Sequence, residues 1–63
     1  MYKLYYVVRR DGVDLFQEKY LPTARKLARA EGRRGRCSLY EVHDHGSWME
    51  SRWIASYGKD KTA

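Results

Sequence analysis

Sixty-three residues with 13 Lys and Arg against 8 Asp and Glu carry a formal charge of +5, and 43% of them are hydrophobic and 14% aromatic. A chain of this length buries only about 60% of the surface it exposes when unfolded. That disfavours the usual catalytic cleft of roughly 300–1,000 Å³ and favours a single binding domain, residues 1–63, over an enzyme.

Residues 4–9 (LYYVVR) are rich in aromatic and β-branched side chains and predict a strand. Asp11-Gly12 then predicts a two-residue hairpin turn, because both central positions take positive φ. Residues 13–20 return as the second strand. This loop sets Arg9 opposite Asp14, Val8 opposite Leu15 and Val7 opposite Phe16, one opposite-charge pair and two apolar pairs. Leu21-Pro22-Thr23 starts a helix, with either Thr23 as its cap or Pro22 in its first turn. Residues 24–31 are good helix formers, and Gly32 is expected to end the helix. At about 100° per residue, Ala24, Leu27 and Ala28 share one face while Arg25, Lys26 and Arg29 share the other. The helix therefore lays a narrow, small-residue face on the sheet and turns a basic face outward. At about nine residues it cannot persist alone in water, so the sheet must hold it.

Residues 32–36 (GRRGR) read as a flexible basic loop and residues 37–43 (CSLYEVH) as the third strand. His43-Asp44-His45-Gly46 forms the next turn. A fourth strand is expected around Trp48-Met49, with a bend near Glu50-Ser51 ahead of Trp53-Ile54-Ala55. Two registers remain open for this hairpin. A two-residue loop pairs Val42 with Met49 and Glu41 with Glu50, whereas a three-residue loop pairs Val42 with Trp48. Residues 58–63 read as a frayed polar tail. The fold class is α+β in the order β-β-α-β-β, an antiparallel sheet with one short helix packed on one face. Alternation places Leu4, Tyr6, Val8 and Leu15 on one side of the first hairpin, and Tyr5, Val7, Phe16 and Tyr20 on the other. One helix cannot cover both sets, so some aromatic surface is expected to stay exposed or to meet a partner.

The charge has one local origin. Residues 24–36 hold five arginines and one lysine against a single glutamate, and the rest of the chain is neutral. Arg25, Lys26, Arg29, Arg33, Arg34 and Arg36 are the candidate contacts to an anionic partner, either nucleic acid or an acidic protein surface. Arginine outnumbers lysine among them, which suits bidentate contact with phosphate or carboxylate. Tyr5, Tyr20, Trp48 and Trp53 are candidate aromatic contacts, by stacking on unpaired bases or by anchoring a protein interface.

Chemistry is weakly signalled. His43, His45, Glu41 and Cys37 lie near one another in sequence, but a turn breaks the His-x-His alternation, and the plain reading is a polar hairpin loop rather than a zinc site. Arg36 beside Cys37 is expected to lower the thiol pKa, yet no histidine is spaced for a dyad. Ser47, Ser51 and Ser56 have no supporting motif, and no phosphate-cradling glycine pattern is present. No catalytic residue, metal site or cofactor is expected. A lone cysteine without a disulfide staple suggests a reducing, cytoplasmic setting. The apolar run at residues 4–8 is too short for a signal-peptide core or a membrane span, so no membrane partner is expected.

Three stretches together resemble small phage-encoded anti-CRISPR proteins of the type I-F inhibitor kind. They are Tyr5-Tyr6-Val7-Val8-Arg9, Leu21-Pro22-Thr23-Ala24-Arg25-Lys26-Leu27-Ala28 and Gly46-Ser47-Trp48-Met49. The arginine loop after the helix is denser than in that group, and Trp53 and Tyr57 lie beyond its aromatic strand. The resemblance implies inhibition by binding in the host cytoplasm. Such a protein docks on a host nucleoprotein complex, the Cas surveillance complex, and occludes the path of target DNA. Phage inhibitors of host RNA polymerase share a similar order of strands and helix. The alternatives are a regulator that binds DNA or RNA directly, and an accessory interaction protein. Monomer and homodimer are both open.

Overall fold

The computed structural model describes residues 1–58, so the expected tail lies outside the described residues from 59 onward. The chain runs β1 (Lys3–Arg10), β2 (Val13–Glu18), α1 (Leu21–Gly32), β3 (Cys37–Asp44) and β4 (Met49–Tyr57). The strands form one antiparallel sheet in the order β2-β1-β3-β4, and the helix packs on one face. The α+β class and the β-β-α-β-β order are those expected.

The first turn has the predicted chemistry, with Asp11 at φ 52° and Gly12 at φ 79°, as a hairpin twisted to match its strands requires. Arg9 faces Asp14 as expected. Beyond that pair the register slips, and Val8 faces Phe16 while Val7 faces Gln17. Leu15 is the extra residue of a β-bulge. Strict alternation sends Leu15 and Phe16 to opposite faces, whereas both pack against the core, and the bulge is what allows it. The expected pairs Val8–Leu15 and Val7–Phe16 are thus corrected, and Phe16 moves to the helix side. The strand also stops at Glu18. Tyr20 takes an extended conformation and serves as the helix N-cap position.

Of the two helix starts, the proline one is found. The helix opens at Leu21 with Pro22 in its first turn, and Thr23 lies inside the helix rather than at its cap. Pro22 suits that position because its missing N–H would have no partner there anyway. Ala24 and Ala28 are fully buried, as the helical spacing predicts. The helix ends at Gly32, as expected, with Arg33 in the C-cap position. A Cβ there would stand 3.0 Å from the Gly58 nitrogen and from Tyr57 Cβ. Glycine is needed at this point so that the helix end can touch the end of β4.

Neither register considered for the last hairpin occurs. Asp44 faces Met49, Val42 faces Ser51 and Glu41 faces Arg52. The loop is four residues long, 45–48, and Trp48 belongs to it rather than to the strand. The Gly46 N–H donates to Asp44 Oδ1 at 2.9 Å, and the His45 N–H donates to the Trp48 carbonyl at 2.9 Å. The His45 and Trp48 rings stack with centroids 3.9 Å apart. The longer loop replaces a Glu41–Glu50 juxtaposition with an opposite-charge pair. No bend interrupts β4 at Glu50-Ser51; its irregularity falls at Ile54, between the pairs Leu39–Ala55 and Tyr40–Trp53.

The main core is Val8, Ala24, Ala28, Cys37 and Leu39, ringed by Tyr6, Leu15, Phe16, Leu27, Ile54 and Tyr57. Val7 and Val42 are nearly as buried, at 2% and 4% exposure, on the face that carries no helix.

Candidate anion-binding surface and open sheet face

Lys26, Arg29, Arg33, Arg34 and Arg36 are exposed. They occupy the outward side of α1 and the loop that continues from it. Arg25 is half-buried and donates from Nη1 to the Tyr57 hydroxyl at 3.3 Å, so it leans toward β4 instead of pointing fully outward. Among the described residues the ion pairs are Arg9–Asp14, Arg10–Glu31, Glu41–His43 and Glu50–His45. None of them uses a cation from residues 24–36.

The reason is Arg10. Glu31 is the one carboxylate in the basic segment, and Arg10 Nη1 donates to it at 3.1 Å from β1. Arg10 Nη2 also donates to the Glu31 carbonyl at 2.6 Å and to the Gly35 carbonyl at 3.2 Å. A single half-buried guanidinium thus neutralises Glu31, adds a donor to a helix-end carbonyl that also accepts from the Arg34 and Gly35 N–H groups, and ties down the arginine loop through Gly35. Its Nε is buried with no hydrogen-bond partner among the described residues, so the clamp runs through the two Nη groups. Sequence reasoning missed Arg10. The signal was available in the alternation of β1, where Leu4, Tyr6, Val8 and Arg10 point to one side, which puts a cation beneath the helix end.

The opposite face is open. Cross-strand pairing places Tyr5, Val7 and Arg9 of β1 beside Ser38, Tyr40 and Val42 of β3, and these beside Ser51, Trp53 and Ser56 of β4. A hollow of about 230 Å³ lies over Val7 and Val42, bounded by Tyr5, Arg9 and Met49 among others. The Arg9 guanidinium sits 4.9 Å from the Tyr40 ring centroid and donates from Nε to Asp14 at 2.6 Å. That hydrogen bond raises the Arg9 pKa further. Of the four aromatic candidates, Tyr5 and Trp53 belong to this face. Tyr20 stands exposed at the helix start and Trp48 is stacked on His45 in the far loop. They do not form one platform. Tyr40, directly opposite Trp53, is the aromatic the sequence did not single out.

A second hollow, of about 680 Å³, is lined by residues 3–5, 17–20 and Asp44. Its volume lies within the usual range for ligand pockets, so chain length did not forbid a hollow of that size. It is an open depression with no cysteine, histidine or serine in its lining. Cys37 is buried and donates to the Ala28 carbonyl at 3.3 Å. Burial pushes its thiol pKa up and outweighs the opposing pull of Arg10, which reverses the lowering expected from Arg36. His43 has both ring nitrogens engaged, by Glu41 and by the Tyr2 hydroxyl. Among the described residues no three His, Cys, Asp or Glu side chains converge to hold a metal ion, and no helix is long and apolar enough to cross a membrane.

No family model, curated protein or solved structure matches this chain.

Proposed function

We propose that this is a non-catalytic binding protein, a small inhibitor of the phage or mobile-element kind. In this reading it docks on a host nucleoprotein complex through Arg29, Arg33, Arg34 and Arg36, with Lys26 and Arg25 beside them, and occludes nucleic acid. One observation carries the reading. Among the described residues no cation of the basic segment is in an ion pair, and Arg10 occupies that segment's one carboxylate. Exposed guanidinium groups that are in no such ion pair are available for phosphate or carboxylate. The open face with Tyr5, Tyr40 and Trp53 offers a second surface, on the other side of the sheet, for the protein part of such a complex.

The test is affinity capture from a CRISPR-bearing host with the wild-type chain and with Arg29→Glu/Arg33→Glu. Recovery of Cas subunits by the wild type alone supports the proposal; recovery of no nucleoprotein subunit removes it. The same unpaired arginines also favour direct DNA or RNA binding as a second reading. If six phosphate contacts are made, affinity for a bare oligonucleotide weakens by about three orders of magnitude between 50 and 200 mM salt. No affinity at low salt excludes that second reading and leaves the first standing.

A further inference from the structure

The two edges of the sheet are built differently. β2 is six residues long and its ladder is broken by the bulge at Leu15. β4 is nine residues long, and no strand among the described residues pairs with its outer edge. Such an edge presents a row of N–H and C=O groups ready for another strand. Its regular stretch is Met49–Trp53, bounded by the 45–48 loop on one side and by the irregularity at Ile54 on the other. All five of these residues are exposed, including Met49 at 60% and Trp53 at 57%.

The midpoint of this run is Ser51, and the run is complementary to itself about that point. If two copies pair antiparallel there, Ser51 faces Ser51 of the second copy. Glu50 then faces Arg52 twice, and Met49 faces Trp53 twice. Both kinds of pair are favourable, one by charge and one by thioether–aromatic contact. Neighbouring registers are not. Centring on Arg52 sets Arg52 against Arg52, centring on Glu50 sets Glu50 against Glu50, and centring on Trp53 drives the ladder through the irregularity at Ile54. Among the described residues Arg52 is in no ion pair, and Glu50 is 62% exposed, with His45 3.6 Å away.

We infer that β4 is a dimerisation edge, and that two copies of this chain join through Met49–Trp53 about Ser51 into a continuous eight-stranded sheet. The two-fold axis stands perpendicular to the sheet, so both helices lie on the same side of it.

Ser51→Cys tests the register. Facing residues of an antiparallel pair have Cα atoms about 4.5–5.5 Å apart, within the range a disulfide spans, and the native Cys37 is buried and out of reach. The expected result is that mild oxidation converts Ser51→Cys into a covalent dimer. Sedimentation of the wild type should give a dimer, and Arg52→Glu should weaken it by about tenfold or more. Glu50→Arg/Arg52→Glu, which swaps the charges, should restore the dimer even if the single variant folds poorly. A wild type that sediments as a monomer at its highest soluble concentration overturns the inference. So does a dimer indifferent to Arg52→Glu in which Ser51→Cys stays uncrosslinked. A monomer that captures an extended peptide of another protein along β4 overturns it too, by naming a different occupant.

Discussion

The two faces of this sheet bury apolar side chains to nearly the same degree by different means. On one face Val8 and Leu39 are sealed by a second layer, the helix, whose Ala24 and Ala28 allow close approach. On the other, the described residues around Val7 and Val42 are long side chains of the same sheet, Tyr5, Arg9 and Met49 among them. The first kind of burial is held by tertiary structure and carries stability. The second is built from side chains free to turn toward a partner, and it leaves Trp53 and Met49 exposed beside the buried valines.

Substitutions can break or sharpen this contrast. Leu39→Ala, beneath the helix, should cost about 2–5 kcal/mol of unfolding free energy, enough to threaten a domain of this size; urea denaturation reads it. Arg10→Ala should come next, at about 1–3 kcal/mol, because it leaves the half-buried Glu31 carboxylate without its ion-pair partner and removes a donor from the Glu31 and Gly35 carbonyls. Arg10→Lys should recover only part of that loss, since an ammonium is a point charge without the planar fork that spans three acceptors. Val42→Ala, on the open face, should cost about 1 kcal/mol, and a loss as large as that at Leu39 would erase the distinction between the faces.

Cys37 sharpens the contrast through pH. Its native pKa lies above the unfolded value of about 8.5. The fold therefore favours the neutral thiol, a contribution complete below that pH and lost as pH rises through the native value. Cys37→Ala should flatten the alkaline part of the stability profile relative to wild type, as thermal melts across that range would show. The smallest effect is expected at Trp53→Ser, within about 0.5 kcal/mol. If that variant unfolds, the open face is part of the core and not a surface for partners.

The sequence carried the order of elements, the Asp11-Gly12 turn and the buried alanine stripe, because each follows from local chemistry or a simple period. It did not carry the bulge at Leu15. That residue and Phe16 are drawn to the same side by a helix later in the chain, and a period of two cannot express this. The four-residue loop at 45–48 was hidden for a related reason: it is closed by a side chain-to-backbone bond from Asp44 and a His45–Trp48 stack, neither of which follows from hydropathy. For the candidate site, the exposure of Arg29, Arg33, Arg34 and Arg36 was legible from helical spacing and the glycine-rich loop. The pairing of Glu31 with a residue other than these arginines was not, because it depends on Arg10, 21 residues away and placed by strand pairing.

Arg10 also means that the ionic character of the loop is decided by a residue outside it. Should β1 lose this side chain, Glu31 becomes free to recruit one of the neighbouring arginines, so the positive field dims just as the turn that displays it slackens. Charge and shape at this end of the molecule are therefore heritable as one trait: a single codon in the first strand governs both.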